Sequence, residues 1–108
     1  MQARADVFKA LADPTRRAIL SMLMDGERSV ATIASEFPVS RPAISKHLKL
    51  LKGAHLVIEY QEGRNRLYHI NPRPLREVDV WLAEFRVMWQ SKLHNLKNFL
   101  ESENKERR

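Results

Sequence analysis

The sequence predicts a mainly α-helical domain with a two-stranded β-hairpin and a long final helix, the outline of a winged helix-turn-helix. Three observations predict it. Two short amphipathic segments flank a tight turn within about residues 29–53, and two β-prone runs surround a basic tip within about 55–71. From about 75 to 101, apolar residues recur at alternating three- and four-residue spacing.

Taken in order, residues 3–12 set Val7, Phe8, Leu11 and Ala12 on one helical face. Asp13 then offers an N-cap and Pro14 a first helical residue, so a second helix begins there. It carries Ile19, Leu20, Leu23 and Met24 and stops near Gly26. Ser29 caps a third helix, in which Val30, Ile33, Ala34 and Phe37 form a single apolar stripe that Pro38 ends. Ser40 caps a fourth, with Ile44, Leu48 and Leu51 inward and Gly53 as its close. The turn between these two helices is about three residues long, the dimension of a helix-turn-helix.

Leu56–Gln61 and Leu67–Asn71 are the strand candidates, and Leu56, Ile58 and Tyr60 are expected to share a face. Gly63 and Asn65 both tolerate positive φ, which makes Glu62–Arg66 a hairpin tip. After Asn71-Pro72 a helix runs from about Leu75 to Glu101, near 40 Å at about 1.5 Å per residue. The closing ESENKERR is charged and is expected to fray.

At 108 residues and 44% hydrophobic content the chain fits one domain, 1–108, with a modest core. The absence of cysteine excludes disulfides, thiolate zinc sites and cysteine redox sensing. No signal-type or membrane-spanning apolar stretch is present, so a soluble cytoplasmic protein with no membrane partner is expected. No Gly-rich phosphate loop or nucleophile–base pattern supports an enzyme, and no cofactor is expected.

The net charge of +6 suits a polyanion, but its distribution says more. Residues 40–53 hold Arg41, Lys46, Lys49 and Lys52 and no acid. Opposite the apolar stripe the fourth helix shows Arg41, Pro42, Ser45, Lys46 and Lys49. These are cations for phosphates or guanine edges, with small side chains that permit close approach to a major groove. A lysine-rich helix face can equally be plain solvated surface. Arg64 and Arg66 at the hairpin tip, directly after this helix, favour the DNA reading, because such a tip reaches a phosphate or a narrow minor groove. Glu59 and Glu62 partly offset the wing charge.

The segments VFKALADPTRRAIL, SVATIASEFPVSRPAISKHLKLLKGAHLV and EGRNRLYHI, from about residue 6 to 71, resemble the ArsR-type family of small bacterial winged-helix repressors. The final WLAEFRVMWQSKLHNLKNFLE is similar to a subgroup that lacks metal ligands, the autorepressors. The resemblance implies a homodimer joined through the first and last helices, which brings in Phe8. It also implies that the segment around Ser40, Arg41, Ser45, Lys46 and His47 faces double-stranded operator DNA, with Arg64 and Arg66 in the wing position.

In the last helix Leu75, Val78, Leu82, Phe85, Trp89, Leu96 and Phe99 form the stripe expected at the dimer interface, broken at Lys92. A dimer presents two recognition helices to a palindromic operator with half-sites about one or two turns apart. Trp81, Phe85 and Trp89 can also line a small-molecule pocket, although interface core is the commoner role. Metal sensors of the family use cysteines, or paired Asp and His residues across the final helix. Here Asp79 and His94 stand without close partners, and His47, His55 and His69 are scattered, so no metal site is expected. The operator, the regulated genes and any small-molecule or protein effector are unspecified. The competing reading is a protein-interaction module on the same scaffold, without DNA binding.

Overall fold

The computed structural model describes residues 2–106, and the chain divides into two units, residues 1–76 and 77–108. The first unit holds α1 (Gln2–Leu11), α2 (Pro14–Leu23), β1 (Arg28–Ser29), α3 (Val30–Ser35), α4 (Arg41–Gly53), β2 (Val57–Glu62) and β3 (Asn65–Ile70). Side chains start its helices as expected. Asp13 Oδ2 accepts from the Arg16 amide at 3.1 Å at the head of α2, with Pro14 in the first turn. Ser29 Oγ accepts from the Thr32 amide at 3.1 Å, and Ser40 Oγ from the Ala43 amide at 3.3 Å.

The core is built where the apolar faces converge. Val7 and Ala10 of α1, Ile19, Leu20 and Leu23 of α2, Ile33 of α3 and Ile44, Leu48 and Leu51 of α4 are all buried. Leu56, Val57 and Tyr68 extend this core beneath the sheet. α4 therefore spends its whole inner face on the core and keeps its other side in solvent, which is the condition for a reading helix.

Several expectations change. The sheet has three antiparallel strands in the order β1-β3-β2, because Arg28 and Ser29 pair with Tyr68 and Leu67. A two-residue strand has no periodicity to read. The hairpin phase is also one residue out. Leu56 is buried but precedes β2, and within the strand Val57 is buried while Ile58 is 44% exposed. The inward face is Val57 and Glu59 opposite Ile70 and Tyr68; a shift of one residue exchanges the faces of a strand. At the tip only Gly63 takes positive φ, at 62°, while Asn65 is already strand and pairs with Glu62.

Helix ends differ too. α3 stops at Ser35, so Phe37 lies beyond it and only Ile33 of the proposed stripe is fully buried. Met24 is 73% exposed rather than part of the α2 face, and α1 buries Ala10 where Ala12 was expected. Gly53 is the last residue of α4 rather than its terminator. Termination falls to His55, at φ 61°: its amide donates to Lys52 O at 3.0 Å and the Leu56 amide to Leu51 O at 3.0 Å. That pair of bonds is a Schellman motif with histidine in the position glycine usually takes.

The second unit is helical. α5 runs Leu75–Glu106, 32 residues and about 48 Å, five residues past the expected end. Residues 107 and 108 of the tail expected to fray lie outside the described residues. Arg86 Nη2 meets Asp79 Oδ1 at 2.9 Å, and Trp81 packs edge-on against Phe85 with ring centres 4.9 Å apart. Among the described residues, no helix is long and apolar enough to cross a membrane.

Candidate nucleic-acid interface

One side of α4 and the hairpin border an open cleft of about 660 Å³, lined by Ser29, Val30, Ala31 and Tyr68, by Arg41, Ser45, Lys49 and Lys52 of α4, and by Glu59, Arg64, Asn65 and Arg66 of the hairpin. Five cations therefore converge from two elements that are separate in sequence. Arg41, Pro42, Ser45, Lys46 and Lys49 are all exposed, as expected for the outer face of α4. Lys46 lies outside the cleft and borders a second hollow of about 480 Å³ between α1 and α4. Ser40 is exposed but engaged as the cap of α4.

His47 is placed differently from its neighbours. Its ring is half-buried and turned toward α2, with Nδ1 3.3 Å from Arg16 Nη1 and 3.9 Å from Asp13 Oδ2. A guanidinium has no acceptor, so this contact needs an unprotonated Nδ1. Arg16 itself donates through Nε to Ala10 O at 2.7 Å and through Nη2 to Lys9 O at 3.1 Å, closing the C-terminal end of α1. Arg16 thus joins α1, α2 and α4. Sequence reasoning missed it because two of its partners are main-chain carbonyls. The Arg16 amide bond, assisted by the Arg16 charge, holds the Asp13 carboxyl below its ordinary range.

Arg64 and Arg66 are both exposed, and Arg66 is in addition paired with Glu59. Glu59 lies between the strands and α4, its side chain only 18% exposed. Its Oε2 accepts from Tyr68 Oη at 2.9 Å and Lys52 Nζ at 3.2 Å, and its Oε1 is 3.6 Å from Arg66 Nε. The Tyr68 bond first, then Lys52 and Arg66, keep the Glu59 carboxyl below its ordinary range. Burial, reinforced by Glu59, pushes the Tyr68 phenol up to about 12. The offsetting charge of Glu59 was legible in the sequence; its buried tyrosine anchor was not, because the strand phase was misread.

Of the residues expected at a dimer interface, Phe8, Leu75 and Val78 are half-buried, while Leu82, Phe85, Trp89, Leu96 and Phe99 are exposed along α5. Among the described residues, no three His, Cys, Asp or Glu side chains are grouped to hold a metal ion.

Known proteins share this pattern. The sequence model of bacterial regulatory proteins of the arsR family matches residues 13–59, from the cap of α2 to the acid at the base of the hairpin. The transcriptional repressor SdpR of Bacillus subtilis is 39% identical over 80 residues, covering 74% of this chain and 89% of that protein. The HTH-type transcriptional regulator Rv2034 of Mycobacterium tuberculosis is 41% identical over 96 residues, 89% of this chain and 87% of that one. Among solved structures, the homodimeric winged helix-turn-helix DNA-binding domain Mb0332 of Mycobacterium bovis superposes with a TM-score of 0.62 at 33% identity. The match covers 85% of this chain and 82% of that domain.

Proposed function

This chain belongs to the ArsR family of bacterial regulatory proteins, and from that premise we propose that it represses transcription as a homodimer seated on palindromic operator DNA. The observation that carries the reading is the shared cleft: cations from the outer face of α4 and from the hairpin open onto one groove. α4 enters the major groove with Arg41, Pro42, Ser45, Lys46 and Lys49 at base edges and phosphates, and Ser40 leads the helix in. Arg64 reaches the flanking minor groove or its phosphates, and His47 orients α4 from behind through Arg16.

The exposed apolar side of α5, from Leu82 through Phe99, is covered by the same helix of a second copy, and Phe8, Leu75 and Val78 also take part in the dimer interface. The Mb0332 domain is itself homodimeric, which supports this arrangement. Two α4 helices then face half-sites about 34–36 Å apart, or a multiple of that, and occupancy of the promoter excludes polymerase. The function is binding in the cytoplasm, without catalytic step, cofactor or resident metal.

Footprinting the protein on the DNA upstream of its own coding sequence tests the proposal. Protection of two symmetric half-sites, steeply weakened between 50 and 200 mM salt, is expected. No protection at any salt would favour a protein-interaction module instead.

A further inference from the structure

Glu59 is the acid that lines the otherwise basic cleft. A carboxylate there repels DNA phosphates and occupies Lys52 and Arg66 at 3.2 Å and 3.6 Å. It therefore weakens the sequence-independent part of any DNA contact, which is carried by phosphates. An exposed ion pair alone would break readily when a phosphate approached. Here the carboxylate is fixed first: Tyr68, only 7% exposed, donates to it at 2.9 Å from the directly paired position on β3. The same carboxylate ties the last turn of α4 to both strands, so the width of the cleft is set before DNA arrives.

We propose that Glu59 is a specificity-determining residue, holding Lys52 and Arg66 back from phosphates so that non-cognate DNA is bound less well relative to operator. The inference rests on the DNA-binding reading above. On an operator, base contacts fix the position of the protein, and a cation freed from Glu59 meets a phosphate only if one lies within reach. On other DNA the protein slides and rotates until freed cations are satisfied. Removal of the carboxylate charge thus raises non-specific binding more than operator binding, and it also loosens the hairpin that operator binding needs.

The test is fluorescence anisotropy of the full chain on two probes between 50 and 200 mM salt. One is poly(dI-dC); the other is a duplex selected by the wild-type protein from a random pool. Glu59→Gln, which preserves shape, is expected to bind poly(dI-dC) more tightly. Its salt slope should steepen by about 1, equivalent to about fourfold across that range, and the selected-to-random affinity ratio should fall. Because Lys52 is already partnered, Lys52→Gln should flatten the wild-type slope by less than half as much as Lys49→Gln does.

Glu59→Gln weakening both probes alike would reduce Glu59 to a structural support and overturn the proposal. Equal flattening by the two lysine variants would overturn it too. If the wild type binds and discriminates but Glu59→Gln leaves the ratio unchanged, this inference falls alone. If the wild type binds neither probe, the DNA reading falls with it.

Discussion

Tyr68 joins burial and charge in one side chain. Its ring sits in the core and its hydroxyl donates to a carboxylate, so ionisation would place two anions together in a poorly solvated site. The phenol is accordingly raised from 10.0 to about 12. A group raised in the folded state favours folding while protonated. The contribution is complete below about 10 and disappears as pH rises through about 12. The chain has two tyrosines, so a Tyr60→Phe variant leaves Tyr68 as the sole ionising chromophore at 295 nm. Its ionisation is expected near pH 12, together with loss of helix signal. A transition near pH 10 in protein that is still folded would remove the Tyr68–Glu59 bond from the description.

At the scale of elements, the end of α4 shows where sequence stops being informative. Its start was legible because Ser40 and Pro42 are local signals, and its inner face because Ile44, Leu48 and Leu51 have one period. Its end was misplaced: glycine is the usual terminator, yet Gly53 is helical and His55 turns the chain. Asn71 holds the turn, since its Nδ2 donates to His55 O at 2.8 Å and its main-chain amide donates to Leu56 O at 2.8 Å. Those partners lie 15 and 16 residues away and leave no trace in local pattern. The misread phase of β2 has the same origin, because Leu56 is buried by this turn rather than by the strand.

A measurable consequence follows from each end residue of α4. His55→Gly removes a left-handed L-residue and should stabilise by about 1 kcal/mol, or several degrees in Tm. Gly53→Ala, with open space where its Cβ would lie, should stabilise by about 0.5–1 kcal/mol. Thermal melts that place both variants below the wild type would contradict this account of how the helix ends.

For the whole molecule, dimerisation decides whether one reading helix or two meet DNA. The repeat that pointed to α5 was legible because it is long: nine large apolar side chains from Trp81 to Leu100 are exposed along it, besides Val80 and Val87. What the sequence could not supply was the convergence of α4 and the hairpin on one cleft, which depends on β3 pairing at once with β1 and β2. Phe85→Glu with Trp89→Glu places charge in the middle of the apolar side. In sedimentation velocity the wild type is expected at twice the chain mass and the double variant at the chain mass, with operator affinity reduced at least tenfold. A double variant that still sediments as a dimer would move the interface off this helix.

The recognition face of α4 is tested most directly by titrating Lys46→Ala/Lys49→Ala and the wild type against the selected duplex by anisotropy. Both lysines are exposed and no ion pair engages them among the described residues, so the melt should stay within about 0.5 kcal/mol of wild type. Operator affinity is expected to fall at least tenfold, with the salt slope flattened by about 2. Wild-type affinity and an unchanged slope in a folded double variant would show that this face of α4 does not touch DNA.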